Sequence, residues 1–107
     1  MAKDAGGIGD LLKQAQQMSK DLGKMQHDLK ERVVEGTAGG GAVKVAMNGQ
    51  RDVLSVSIDP SVMEDADASM LEDLLVSALR DAKEHSDRLA AEEMSKVTGL
   101  AMPPGAM

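Results

Sequence analysis

Val43, Val45 and Met47 alternate with Lys44, Ala46 and Asn48, and Leu54, Val56 and Ile58 alternate with Ser55, Ser57 and Asp59. A period of two in apolar residues is the pattern of half-buried antiparallel strands. Asn48-Gly49 lies between the two runs and favours a reversal with positive φ. A two-residue loop would set Val45 opposite Asp52. A four-residue loop, Asn48 to Arg51, sets Val45 opposite Leu54 and Val43 opposite Val56, which burial favours. Gly39 to Gly41 is expected to turn a first strand, about Arg32 to Thr37, into the second. Pro60 cannot donate to a ladder and ends the third.

On either side of this region the period changes. Ile8, Leu11, Ala15, Met18, Leu22, Met25 and Leu29 step by three and four, a heptad stripe that predicts a helix from about 8 to 33. Such a helix is roughly 39 Å long, more than a small body needs, so part of it should project or pair. Gly23 in its middle implies a bend or a close neighbour. Leu71, Leu75, Ala78, Ala82, His85 and Leu89 step likewise, widened by Leu74 and Leu79. They predict a second helix from about Met70 to Val97, with Gly99 as its stop. Ser61 with Glu64 reads as the capping box of a short helical turn, and Ser69 with Glu72 as that of the last helix. Residues 1–7 and 100–107 are expected to be flexible.

Composition changes the picture in one respect. The 107 residues make one domain, 1–107, but contain no Phe, Tyr, Trp or Cys. A core of Met, Leu, Val and Ala is thin for one copy, which points to an oligomer. The fold class expected is α+β: a long N-terminal helix, a small three-stranded antiparallel sheet, a short helical turn and a long C-terminal helix. Neither sheet nor stripes can be well buried in one copy, so an isologous homodimer is expected. No apolar run approaches the length of a membrane span, and MAKDAGG has no signal-peptide core. The lack of Cys fits a cytoplasmic location.

Net charge is −6, which argues at first against nucleic acid. Its distribution softens that objection. Asp59, Glu64, Asp65, Asp67, Glu72 and Asp73 supply six of the 18 acids, leaving 12 against 12 basic residues elsewhere. On the first helix Lys13, Lys20 and His27 lie opposite the apolar stripe, with Lys24 beside them. Lys20 has no acid three or four positions away, whereas Asp21 and Asp28 can pair with Lys24. On the second helix the spacing predicts the pairs Arg80–Glu84, Lys83–Asp87, Glu84–Arg88 and Glu92–Lys96, an ordinary solvated face.

No catalytic or metal constellation emerges. His27 and His85 have no Cys and no ligand spacing around them. Gly39 to Gly41 is followed by a strand and lacks the Lys-Ser/Thr of a phosphate loop. Asp65, Asp67, Glu72 and Asp73 do not have calcium-loop spacing. Ser55 and Ser57 have no base beside them. An enzyme, a cofactor and a small-molecule substrate are therefore not expected.

GGG-x-V-x-V-x-x-NG followed by a strand closing in IDP resembles the YbaB/EbfC family of bacterial nucleoid-associated DNA-binding proteins. GGIGDLLKQAQQMSKDLGKMQ is similar to that family's opening helix, MLEDLLVSALRDA to its closing helix and LAMPPGAM to its tail. The resemblance implies a tweezer-like homodimer whose protruding helices contact double-stranded DNA in the nucleoid and so influence gene expression. It assigns DNA contact to Lys13, Lys20 and Lys24, then to Arg80, Lys83 and Arg88, and to Arg51 in the hairpin loop. Without aromatics to stack on bases, contact should be to phosphate and little selective for sequence. The alternative is an acidic dimeric adaptor that reaches DNA only through replication or repair proteins.

Overall fold

The computed structural model describes residues 2–101, with side chains described for 7–97. Helix α1 (Ala2–Glu31) leads into strand β1 (Val33–Ala38), a 3-10 turn (Gly39–Gly41) and strands β2 (Val43–Asn48) and β3 (Val53–Ile58). Helix α2 (Pro60–Asp65) and helix α3 (Ala68–Ala101) complete the chain. The sheet is antiparallel in the order β1-β2-β3. This is the expected α+β architecture, with helices that start earlier or end later than their patterns suggested. Helix α1 already includes Gly6 and Gly7, and α3 continues through Gly99. Met1 and residues 102–107, the Pro-Gly tail, lie outside the described residues.

The molecule measures 77 × 26 × 17 Å with a radius of gyration of 21.0 Å. A compact chain of this length would have a radius near 13 Å, so the helices extend well past the sheet. Two apolar clusters hold the parts together. Val43, Val45 and Met47 of β2 pack on Ala78 and Ala82 of α3. Met25 and Leu29 of α1 pack on Leu89 of α3, flanked by Leu22, Val34, Ala90 and Val97. The heptad stripe is therefore buried only at its C-terminal end. Ile8, Leu11 and Met18 remain exposed, and Leu11, Ala15 and Met18 line an open groove of 620 Å³ with Val97.

Three local expectations are corrected. Val45 stands opposite Val56, and Val43 opposite Ile58, two residues further along than expected. Ser55 faces Ala46 and Val53 faces Met47, so Leu54 is the extra residue of a β-bulge. A shift of two keeps Val56 and Ile58 on the core face. The positive φ of the hairpin loop belongs to Arg51 (φ 68), not to Asn48-Gly49. Gly49 is needed for closeness: a Cβ there would lie 2.8 Å from the Leu29 carbonyl oxygen. The glycines at 39 to 41 do all adopt positive φ, 64°, 70° and 96°.

The helix starts differ as well. Asp59, not Ser61, caps α2: its carboxylate accepts from the Ser61 N–H at 3.0 Å, and Pro60 takes the first helical position. Asp67, not Ser69, caps α3 by accepting from the Met70 N–H at 2.8 Å. Hydrogen bonds from the backbone and then the hydroxyl of Ser61 hold the Asp59 carboxyl below its ordinary value of 3.8.

Arg32, at the junction of α1 and β1, is tied to Glu93 of α3 at 3.3 Å, and Lys96 reaches the same oxygen at 3.1 Å. The hydrogen bond from Lys96 is the main cause that holds the Glu93 carboxyl below its ordinary value of 4.5. The charges of Lys96 and Arg32 add to it, while partial desolvation opposes them. A carboxyl depressed by folding stabilises the fold above its unfolded value and loses that contribution as pH falls through its folded value. Thermal melts of wild type and Glu93→Gln should therefore differ at pH 7. The difference should begin to shrink as pH falls below about 4.5 and vanish below the folded value.

Candidate nucleic-acid interface

At 100° per residue, Lys13, Lys20 and Lys24 fall within a wedge of about 40° on α1, and Gln17 lies on its margin. The wedge is opposite Leu22, Met25 and Leu29, the residues that bind α1 to the body. All three lysines are exposed. Among the described residues none of them has a carboxylate within salt-bridge distance. Asp21, one of the two acids expected to pair with Lys24, accepts instead from Gln17 Nε2 at 3.0 Å. His27 pairs with Glu31 at 3.3 Å. The first helix thus carries a stripe of unneutralised cations on the face that packing leaves free.

A second group forms where α3 passes the hairpin. Arg51, Arg80 and Lys83 rim a shallow cavity of 270 Å³ floored by Met47, Val76 and Leu79. The pairs predicted along α3 do not form. Asp87 pairs with Arg51, not Lys83, and Lys96 pairs with Glu93, not Glu92. Arg80, Lys83 and Arg88 are exposed, and among the described residues none of them has a carboxylate in salt-bridge range. They are freer than their sequence spacing suggested, and Arg51 is more engaged. Arg88 lies outside the group around the cavity. Sequence reading missed the convergence of Arg51 with Arg80 and Lys83. The available signal was the i, i+3, i+4, i+7 spacing of Val76, Leu79, Arg80 and Lys83, which puts them on one face.

The six acids of Asp59 to Asp73 are all exposed on α2, the following link and the first turns of α3. They precede or open α3, whereas α1 packs on the later part of that helix at Leu89, Ala90 and Val97. Among the described residues no three carboxylate or imidazole groups converge as metal ligands. Among the described residues no helix is long and apolar enough to cross a membrane.

A small sheet with long helical arms, one bearing a free cationic stripe, describes a class: α+β proteins built to present helices rather than to enclose a substrate. The chain belongs to the YbaB/EbfC DNA-binding family, whose model matches residues 5–101. A nucleoid-associated protein of Caldanaerobacter subterraneus subsp. tengcongensis is 42% identical over 98 residues, covering 92% of this chain and 88% of the relative. One from Acetivibrio thermocellus is 43% identical over 94 residues, covering 88% and 83%. A crystal structure of an uncharacterized protein from Helicobacter pylori superposes with a TM-score of 0.71 at 26% identity, covering 86% of this chain and 94% of that one.

Proposed function

We propose that this chain binds double-stranded DNA as a homodimer with little sequence selectivity, and that it organises DNA in the nucleoid of the cytoplasm and thereby affects gene expression. The observation that carries the reading is the face of Lys13, Lys20 and Lys24, exposed and unpaired on a projecting helix. Arg80, Lys83 and Arg88 extend the contact, and the phosphate backbone is what such cations recognise without reading bases.

The two edges of the sheet support the dimer. At the β1 edge, Thr37 N–H donates to Asp81 of α3 at 2.9 Å and the Glu35 carbonyl lies 2.7 Å from His85 Nδ1. Side chains of α3 thus occupy that edge. Among the described residues strand β3 pairs with β2 alone, and its Val53, Leu54 and Val56 are 50%, 52% and 47% exposed. An open apolar edge is a template for another strand. A second copy placing its β3 there would extend the sheet and cover Val56 and Val76.

Fluorescence anisotropy of a labelled duplex tests the function. Lys13, Lys20 and Lys24 of both copies, six cations per dimer, give a log–log salt slope of about 5 if every one neutralises a phosphate. Lys20→Glu/Lys24→Glu removes four of these contacts per dimer. It should weaken binding by at least tenfold at low salt while leaving the dimer intact by light scattering. A dimeric wild type that fails to bind even at low salt would overturn the reading. The exposed acids of Asp59 to Asp73 would then favour the adaptor alternative, with replication or repair proteins as partners.

A further inference from the structure

One short loop grips both arms. Asn48 is only 2% exposed. Its Oδ1 accepts from the N–H groups of Gln50 at 2.8 Å and Asp52 at 3.0 Å, and its Nδ2 donates to the Asp52 carboxylate at 3.1 Å. These bonds make residues 48–52 a closed, rigid unit. Toward α1, Gly49 N–H donates to the carbonyls of Leu29 at 2.7 Å and Arg32 at 3.1 Å. Gln50 Nε2 donates to the Gln26 carbonyl at 2.8 Å. Toward α3, fully buried Ser86 donates its hydroxyl to the Asn48 carbonyl at 2.8 Å. Arg51, held at positive φ, pairs with Asp87. The last turns of α1 and the middle of α3 are thus fastened to the same five residues.

Beyond the cluster of Leu22, Met25, Leu29 and Leu89, α1 projects with its seam uncovered except near Val97. A pivot near the loop would make it a lever. Lys13 lies 16 residues from Leu29, about 24 Å along the axis. A rotation of about 10° at the loop would move Lys13 by about 4 Å, enough to break a phosphate contact.

We propose that Asn48–Asp52 is the joint that sets the spread of the two arms. In it Gln50, Arg51 and Asp87 are positioning residues for DNA contact, with Arg51 spent on Asp87 and not on phosphate. The part of this inference that concerns DNA rests on the function proposed above. The part that concerns the arms does not.

The absence of Cys allows clean spin labelling. Labels at Gln16→Cys on α1 and Ala91→Cys on α3, diluted into unlabelled protein, report the arm spread by pulsed dipolar spectroscopy without DNA. Asp87→Asn and Gln50→Ala should each shift or broaden the distance distribution while circular dichroism stays that of wild type. Asp87→Asn also removes an acid and frees Arg51, so charge alone would tighten DNA binding, as it should for the control Glu84→Gln. The joint instead requires Asp87→Asn to bind DNA about threefold or more weakly, because the competent spread is less populated. Distributions that superimpose on wild type would overturn the joint, and so would an Asp87→Asn variant that binds at least as tightly as Glu84→Gln. If wild type binds no DNA, the function fails and the distance distributions alone decide the joint.

Discussion

Gly36→Ala should destabilise the protein by about 3 kcal/mol or more, one of the largest effects expected of a single methyl group here. A Cβ at Gly36 would lie 2.2 Å from the Ala82 nitrogen, 2.3 Å from the Ala78 carbonyl oxygen and 2.7 Å from the Ala82 Cα. All three are backbone atoms of α3, so no side-chain rotation relieves the clash. Ala78 and Ala82, each fully buried, form the notch of small residues that admits β1 so closely. Relief requires β1 to move away from α3. That movement also stretches the bonds of Thr37 to Asp81 and of Glu35 to His85. At this size 3 kcal/mol corresponds to a fall in Tm of roughly 10–20 °C. Thermal melts at one protein concentration check it. Gly40→Ala is the control, since its Cβ meets nothing within 4 Å and only the positive φ of 70° is strained, at a cost of about 1 kcal/mol. If the two variants melt alike, the notch is not as tight as described.

Gly36 shows what could be read in advance and what could not. The alternation of Val43, Val45 and Met47 reports burial directly, because parity alone decides which side chains face the core, and these three are the buried centre of the sheet. The glycine at 36 gave no signal, since the approach that requires it comes from a helix more than forty residues later. The register of β3 was hidden for a related reason. It depends on a loop closed by the Asn48 amide and on the bulge at Leu54, both of which are settled by hydrogen bonds and not by hydrophobic parity. The caps were misplaced because Asp59 and Asp67 stand two residues before Ser61 and Ser69, and either side chain satisfies the motif. At the candidate interface, the lysine face of α1 was legible from helical spacing. The ion pairs of α3 were not. An exposed i,i+4 pair gains only about 0.3–0.5 kcal/mol, so other partners easily displace it, as Arg51 does for Lys83 at Asp87 and as Glu93 does for Glu92 at Lys96. The heptad stripe was also legible, but spacing could not say that only its end near Leu22 to Leu29 would find α3 beside it.

Val56→Asp should convert the proposed dimer into a folded monomer. The side chain stands opposite Val45 on the core face, yet it is 47% exposed because α3 packs over β1 and β2. In one copy, therefore, an aspartate there keeps water and leaves Val43, Val45 and Met47 undisturbed. In a dimer joined through β3, two such carboxylates face each other across the twofold axis in an apolar strip. Desolvating an unpaired charge costs several kcal/mol, and each 1.4 kcal/mol is tenfold in the dissociation constant, so dimerisation should weaken by at least about a hundredfold. Light scattering across a concentration series reads this directly. The DNA assay then reads its consequence, because a monomer presents one copy of the Lys13, Lys20 and Lys24 face where the dimer presents two, and the salt slope should fall from about 5 to about 3. A Val56→Asp protein that remains dimeric would exclude the β3 edge and move the interface to the uncovered seam of Ile8, Leu11 and Met18. The edge is the stronger choice because it offers unpaired backbone donors and acceptors together with apolar surface. The seam offers apolar surface alone, and its helix already satisfies its own backbone.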